Sequence, residues 1–199
     1  MSEAKVDSGR RTWIAITCGA GAVGGAAVAV PFVSSFAPSE RAKAAGAPVQ
    51  ADISGLRPGE KMTVEWRGKP VWIVRRTEEQ LASLKLTESL VADPLSLRNP
   101  SDLTPEYARN IPRSIKPEVF VAVGICSHLG CSPIDKFALG AQPSLPDDWH
   151  GGFFCPCHGS TFDMAGRVFK NKPAPDNLEV PRHMYLSDTS LLIGEDSKG

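Results

Sequence analysis

The sequence has no excess of either charge, with 22 Lys and Arg against 22 Asp and Glu. That balance leaves no basic footprint for nucleic acid. Cysteine is scarce, five in 199 residues, too few for a disulfide scaffold. The length allows one folded domain of ordinary size with an appendage. Residues 13–33 have no charge at all. What is present is unevenly placed: four of the five cysteines and three of the four histidines crowd into residues 126–158.

The uncharged run, WIAITCGAGAVGGAAVAVPFV, is 21 residues long. At about 1.5 Å per residue it spans roughly 30 Å, the thickness of a bilayer core. It predicts a transmembrane helix over residues 13–36. A cleaved signal peptide has a shorter apolar region, and a buried core helix needs a larger domain to cover all its faces. Gly21 and Gly25 form a small-xxx-small pair suited to helix packing or to a plain anchor. Arg10 and Arg11 precede the run, within a cytoplasmic stretch 1–12. They fit the positive-inside rule and also a twin-arginine export signal. Both readings put the rest of the chain outside, in a compartment where disulfides persist.

Residues 37–48 are rich in Ala, Pro and charge without apolar periodicity, and predict a hinge or linker. Residues 49–199 form the globular part. Met62, Val64 and Trp66, a turn at Arg67-Gly68-Lys69-Pro70, and Val71–Val74 predict a hairpin. Thr77 and Gln80 have capping-box spacing ahead of a helix carrying Leu81 and Leu84. Residues 92–118, with five prolines, predict a long ordered loop. Residues 119–125 form an apolar run of strand length that delivers the chain into Cys126, and Phe153-Phe154 leads likewise to Cys155. A last hairpin joins Met184–Leu186 to Leu191–Ile193. The globular part is predicted all-β and antiparallel, with loops at one end holding the cysteines and histidines.

Those loops are Cys126-Ser127-His128-Leu129-Gly130-Cys131 and Cys155-Pro156-Cys157-His158-Gly159-Ser160. Cys126, His128, Cys155 and His158 make a four-ligand set, and Cys131 and Cys157 are left to form a disulfide between the loops. A structural zinc needs no such disulfide. A four-thiolate cluster leaves the histidines unexplained, and a nucleophilic Cys-His pair explains one loop and not the other. The remaining reading is a 2Fe-2S cluster held by two thiolates and two imidazoles. His150, His183 and Cys18 are assigned no site role.

The two boxes closely resemble the cluster-binding boxes of the Rieske family in its disulfide-bearing form. Ser54–Gly59, Trp66–Pro70 and Arg75-Arg76-Thr77 further resemble the iron-sulfur subunits of ubiquinol-cytochrome c reductase. The resemblance implies a Rieske-type antiparallel β sandwich with a small cluster-binding subdomain. It implies one Rieske-type 2Fe-2S cluster, with Cys126 and Cys155 on the inner iron, His128 and His158 on the outer iron, and Cys131 bonded to Cys157. Pro173-Ala174-Pro175 corresponds to the family's proline loop, a third lid.

The implied function is acceptance of one electron and a proton from ubiquinol at His158, with delivery of the electron to a c-type cytochrome subunit. The implied partners are that subunit and a cytochrome b subunit with the quinol site. The place is a bacterial inner membrane, single-pass, with the cluster domain on the periplasmic side. Two Fe(III), two sulfides and two thiolates sum to zero when the imidazoles are neutral, so adding an electron costs less than in an all-thiolate cluster. Ser160 matches the position whose hydroxyl bonds to a bridging sulfide. Phe162 stands where many members have a tyrosine that bonds to a ligating cysteine, which implies a lower potential. Alternatives are the small subunit of an exported molybdenum oxidase such as arsenite oxidase, an oxygenase component, which needs a far longer chain, and a zinc-bound adhesion head.

Overall fold

The structure, a computed structural model, describes residues 8–98 and 103–197. Part of the 1–12 stretch, and Pro100 of the proline-rich segment, lie outside the described residues. The chain divides into two units, Met1–Ala44 and Ala45–Gly199.

In the first unit, α1 runs from Ser8 to Ser34. It starts ahead of Trp13 because nothing in Gly9-Arg10-Arg11-Thr12 breaks backbone pairing. None of its residues is buried, and Trp13, Val23, Val28 and Phe32 all stand exposed. A helix apolar on every side and without a buried residue is built for a nonpolar solvent. At about 40 Å it is long enough to cross a membrane. Two of its hydroxyls are satisfied within the helix: those of Thr12 and Thr17 donate to the carbonyls of Ser8 and Trp13, four residues back. The predicted linker contains a short helix, α2 (Glu40–Ala45), whose start is capped by Ser39 Oγ accepting the Ala42 N–H.

Among its described residues the second unit holds nine strands: β1 (Val49–Asp52), β2 (Lys61–Trp66), β3 (Lys69–Arg75), β4 (Val119–Val123), β5 (Ile134–Lys136), β6 (Gly152–Cys155), β7 (Ser160–Phe162), β8 (His183–Ser187) and β9 (Ser190–Ile193). They pair into three antiparallel sheets, ordered β1-β9-β8, β2-β3-β4 and β5-β6-β7. The turn between β2 and β3 is two residues long. Arg67 and Gly68 both have positive φ, 52° and 70°, as a type I′ hairpin requires. Lys69 and Pro70, predicted in the turn, belong to β3. Helix α3 (Glu78–Thr87) begins with both halves of the Thr77/Gln80 capping box and buries Leu84.

β3 and β4 are buried on both faces, which explains why Val119–Val123 is apolar at every position instead of alternating. One face puts Val71, Ile73, Val119, Val121 and Val123 against Ile53, Leu191 and Ile193. The other puts Trp72, Val74, Phe120 and Ala122 against Phe153, Phe162, Met164 and the buried cysteines 126 and 155.

The described residues of the segment between α3 and β4 have almost no regular structure, yet buried arginines bond to them. Arg113 donates to the carbonyls of Ala165, Gly166 and Leu178 and to the hydroxyls of Ser96 and Thr104. Arg76 donates to the carbonyls of Pro112, Pro117 and Met164 and to Ser114 Oγ. Arg167 pairs with buried Asp163 at 2.7 Å and bonds to the Leu84 carbonyl and Thr87 Oγ1. Burial pushes Arg76 down to about 9 and Arg113 down to about 10, both still high enough to keep the guanidinium charged at neutral pH.

Candidate metal centre

β4 runs through Gly124 and Ile125 into Cys126, and β6 ends on Cys155, so two strand ends fix the starts of the two boxes. Each box then makes the same turn. The Gly130 N–H donates to the Cys126 carbonyl at 3.1 Å, and the Gly159 N–H to the Cys155 carbonyl at 3.0 Å. Both glycines have positive φ, 82° and 77°, a conformation that a Cβ resists. The first box is closed further by the Cys126 N–H donating to the Cys131 carbonyl. The second passes directly into β7 at Ser160, opposite Cys155.

Cys131 and Cys157 are joined in a disulfide, with Cα atoms 6.7 Å apart. Cys126 and Cys155 are free and buried. The sulfurs of Cys131, Cys155 and Cys157 lie within 4.8 Å of one another. Two of those three share a bond, so Cys155 alone among them keeps a thiolate to offer. The His128 and His158 rings meet nearly at right angles, 88°, with centroids 4.7 Å apart. His158 is exposed and His128 half-buried.

The Nδ1 of His128 is buried without a hydrogen-bond partner. A buried polar atom left this way costs about 1–3 kcal/mol, and a metal bond is one way to remove the penalty. Two buried free thiols and two clustered imidazoles are a donor set that fits an iron-sulfur centre. Burial pushes the Cys126 thiol up; the His128 backbone N–H and the Ser160 hydroxyl oppose this, and neighbouring Cys155 adds to it. A thiol so placed at Cys126 is poorly served as a free anion and better served by a cation that takes its charge.

Ser160 is fully buried, and its Oγ accepts the Ala174 N–H at 3.0 Å while its hydroxyl faces the Cys126 sulfur. Ser127 was not singled out from the sequence. Its hydroxyl donates to the Asp176 carbonyl at 2.7 Å and accepts the Asp176 N–H at 3.3 Å. The Pro173-Ala174-Pro175 loop is thereby pinned to the second box through Ser160 and to the first through Ser127. A serine directly after a ligand-type cysteine was the available signal. Phe162 is buried opposite Phe153 and carries no donor.

The remaining histidines stay out of the centre. His183 is buried, its Nδ1 2.8 Å from the Pro181 carbonyl, and its backbone exchanges two bonds with the Tyr107 hydroxyl. His150 lines a cavity of about 350 Å³ with Leu90, Trp149, Phe169 and Lys170. Cys18 lies in α1.

Residues 103–182 match the model of the Rieske [2Fe-2S] domain, and residues 1–39 that of the ubiquitinol-cytochrome C reductase Fe-S subunit TAT signal. Among solved structures, a chain of "Hyperthermophilic respiratory Complex III" is 28% identical, with a TM-score of 0.44, covering 89% of this chain and 98% of that one. Among curated proteins, a ubiquinol-cytochrome c reductase iron-sulfur subunit of Blastochloris viridis is 43% identical, covering 89% of this chain and 88% of the relative. The protein of the same name from Allochromatium vinosum is 56% identical over 187 residues, 94% of this chain and 88% of the relative. Identity at that level along nearly the whole of both chains places this protein in the family of ubiquinol-cytochrome c reductase iron-sulfur subunits, with a Rieske [2Fe-2S] domain.

Proposed function

We propose that Cys126 and Cys155 hold one iron of a single [2Fe-2S] cluster, that His128 and His158 hold the other, and that the chain draws electrons from ubiquinol for a c-type cytochrome subunit. The observation that carries this is the pair of perpendicular imidazoles, one exposed and one with an orphaned buried nitrogen, beside two buried free thiols. When bound, a cluster with this mixed ligand set takes up one electron at a higher potential than an all-thiolate cluster.

The chain's own residues do the rest. His158 offers its exposed edge to a quinol hydroxyl, accepts its hydrogen bond and takes its proton. His128 is half-buried, so His158 is the more accessible of the two. The disulfide ties the two boxes together, while Ser127 and Ser160 keep the proline loop closed over them. Because one cluster takes one electron, the second electron of quinol passes to a cytochrome b partner. Helix α1 anchors the chain in a bacterial inner membrane, with Arg10 and Arg11 on the cytoplasmic side and residues 49–199 on the periplasmic side, where the disulfide persists.

Low-temperature EPR of dithionite-reduced membranes tests the ligand set. A rhombic signal with the low average g of mixed imidazole and thiolate ligation is expected, and its shape should respond to an inhibitor of the quinol site. Silence after full reduction defeats the cluster assignment, and a signal indifferent to the inhibitor defeats the quinol role.

A further inference from the structure

One side chain of the β2-β3-β4 sheet touches the approach to both boxes. Trp72 sits in β3 opposite Ala122 of β4. Its indole extends past Ala122 over Gly124, two residues before Cys126. A Cβ built on Gly124 falls inside 3.0 Å of three indole atoms, Cε2, Nε1 and Cζ2. The φ of Gly124 is not positive, so a side chain is excluded there by the indole and not by the backbone. The same indole stacks on Phe153, with centroids 5.0 Å apart and planes 17° apart. Phe153 stands two residues before Cys155. A single ring therefore bears on both strands at the same distance in sequence from each cysteine.

The ring is itself held from the other side. Lys61 Nζ lies 4.3 Å from the Trp72 ring centroid and pairs with Asp135 Oδ1 at 2.6 Å. Asp135 is the register partner of Phe153. Lys61, Trp72, Phe153 and Asp135 thus form a closed loop of contacts through β2, β3, β6 and β5. Phe153 is fixed further by Phe120 and Phe137, at 6.4 and 5.4 Å between centroids. Stacked rings and a cation over an indole are directional contacts, so the loop resists sliding as well as separation.

We infer that Trp72, seated on Gly124 and Phe153 and capped by Lys61, is a positioning residue that sets the spacing of Cys126 and Cys155. The inference rests on the ligand assignment proposed above. A metal centre tolerates only about 0.5 Å of drift in its ligands before its properties change. A methyl at Gly124 must displace either the indole or the first box by more than that.

The test uses the full chain in detergent-solubilised membranes, reading iron per chain, EPR g-values and midpoint potential. Gly124→Ala and Trp72→Leu each lower the iron content and shift the g-values. In the double variant the new methyl meets no indole, so Gly124→Ala adds no further shift to Trp72→Leu. Trp72→Phe keeps a ring on Phe153 and stays closer to the parent than Trp72→Leu. Lys61→Met, which removes only the cap and the Asp135 tie, moves the signal in the same direction by less and serves where a core variant does not fold. Wild-type iron, g-values and potential in Gly124→Ala overturn the inference, as does an undiminished Gly124→Ala effect in the Trp72→Leu background. If the parent chain gives no rhombic signal, the ligand assignment fails instead. The brace is then read from the labelling rate of Cys126 and Cys155 by a thiol reagent: Gly124→Ala raises it and adds nothing in the Trp72→Leu background, and unchanged labelling refutes the brace.

Discussion

Replacing Ser160 with alanine removes one hydroxyl that serves the Ala174 N–H and faces the Cys126 sulfur, and each loss has its own readout. As acceptor, Oγ satisfies the Ala174 N–H at 3.0 Å in a fully buried setting. Without it that N–H is orphaned, at about 1–3 kcal/mol of stability. As donor, the hydroxyl faces the Cys126 sulfur and is expected to bond to it. A hydrogen bond to a charged group contributes about 1.5–3 kcal/mol, and it strengthens when the centre gains an electron. If roughly half of that strength depends on the added electron, the reduced state loses about 0.8–1.5 kcal/mol relative to the oxidised one. For a one-electron couple, where about 59 mV corresponds to a tenfold change, this lowers the potential by about 35–65 mV. Protein-film voltammetry of Ser160→Ala at fixed pH measures it. Denaturant unfolding of the same variant measures the loss of the Ala174 partner. A potential unchanged or raised, with the stability loss present, would show that the hydroxyl serves the proline loop alone and that its proton does not reach the sulfur.

Phe162→Tyr supplies the donor this chain lacks and is expected to raise the potential by about 40–60 mV, the equivalent of a neutral hydrogen bond of about 1 kcal/mol or slightly more; voltammetry showing no rise sinks the idea. Loss of the disulfide by Cys131→Ser with Cys157→Ser releases a loop whose ends are 26 residues apart, which by chain entropy is expected to lower stability by about 3.5 kcal/mol. A denaturant midpoint that does not move contradicts it. His183 provides a pH prediction. Burial holds its imidazole below the usual range, with the Pro181 carbonyl and Asp196 acting weakly the other way. The unfolded chain therefore takes up the proton first as pH falls through about 6.5. The stability contribution is complete above that pH and is lost below it, until the folded imidazole also titrates. His183→Gln is expected to flatten stability between about pH 7 and 5, and identical slopes in the two proteins would refute it.

The chemistry of the centre was legible because its residue types are rare and local. Cys126, His128, Cys155 and His158 lie in two six-residue boxes, and the glycines that let each box turn are inside the same boxes. The capping box at Thr77 and the turn at Arg67-Gly68 were legible for the same reason, since each is a short-range signal. What escaped was non-local or too short to show a period. β1 spans four residues, and it pairs with β9, about 140 positions away. β5 and β7 have three residues each, fewer than a period-2 pattern needs. The pins from Ser127 and Ser160 to the proline loop span 49 and 14 residues, and no spacing rule links a serine to a backbone amide at such separations.

The buried arginines carry the same lesson further, because residue type argues against their position. Arg76, Arg113, Arg167 and Asp163 belong to the types least often found inside a protein, yet all four are buried here. Asp163 pairs with Arg167, while Glu118 and Asp93 act electrostatically on Arg76 and Arg113, and many of the guanidinium donors turn to backbone carbonyls in irregular segments. Proline-rich residues 103–118 and the turn at 163–167 have many carbonyls free of ladder pairing, and a planar group with five donors can gather several at once. This is how a chain with short strands and long irregular connections keeps a fixed interior. It also bears on the centre, because Asp163 follows directly on β7. Asp163 Oδ1 accepts the N–H groups of Ala165 and Arg167, and its Oδ2 takes Arg167 and the Thr87 hydroxyl. The second box is therefore anchored through β7 to the charge network on one side and through Phe153 to Trp72 on the other. Its histidine can stand exposed and still be held in place, because the strands on either side of it are fixed by buried groups.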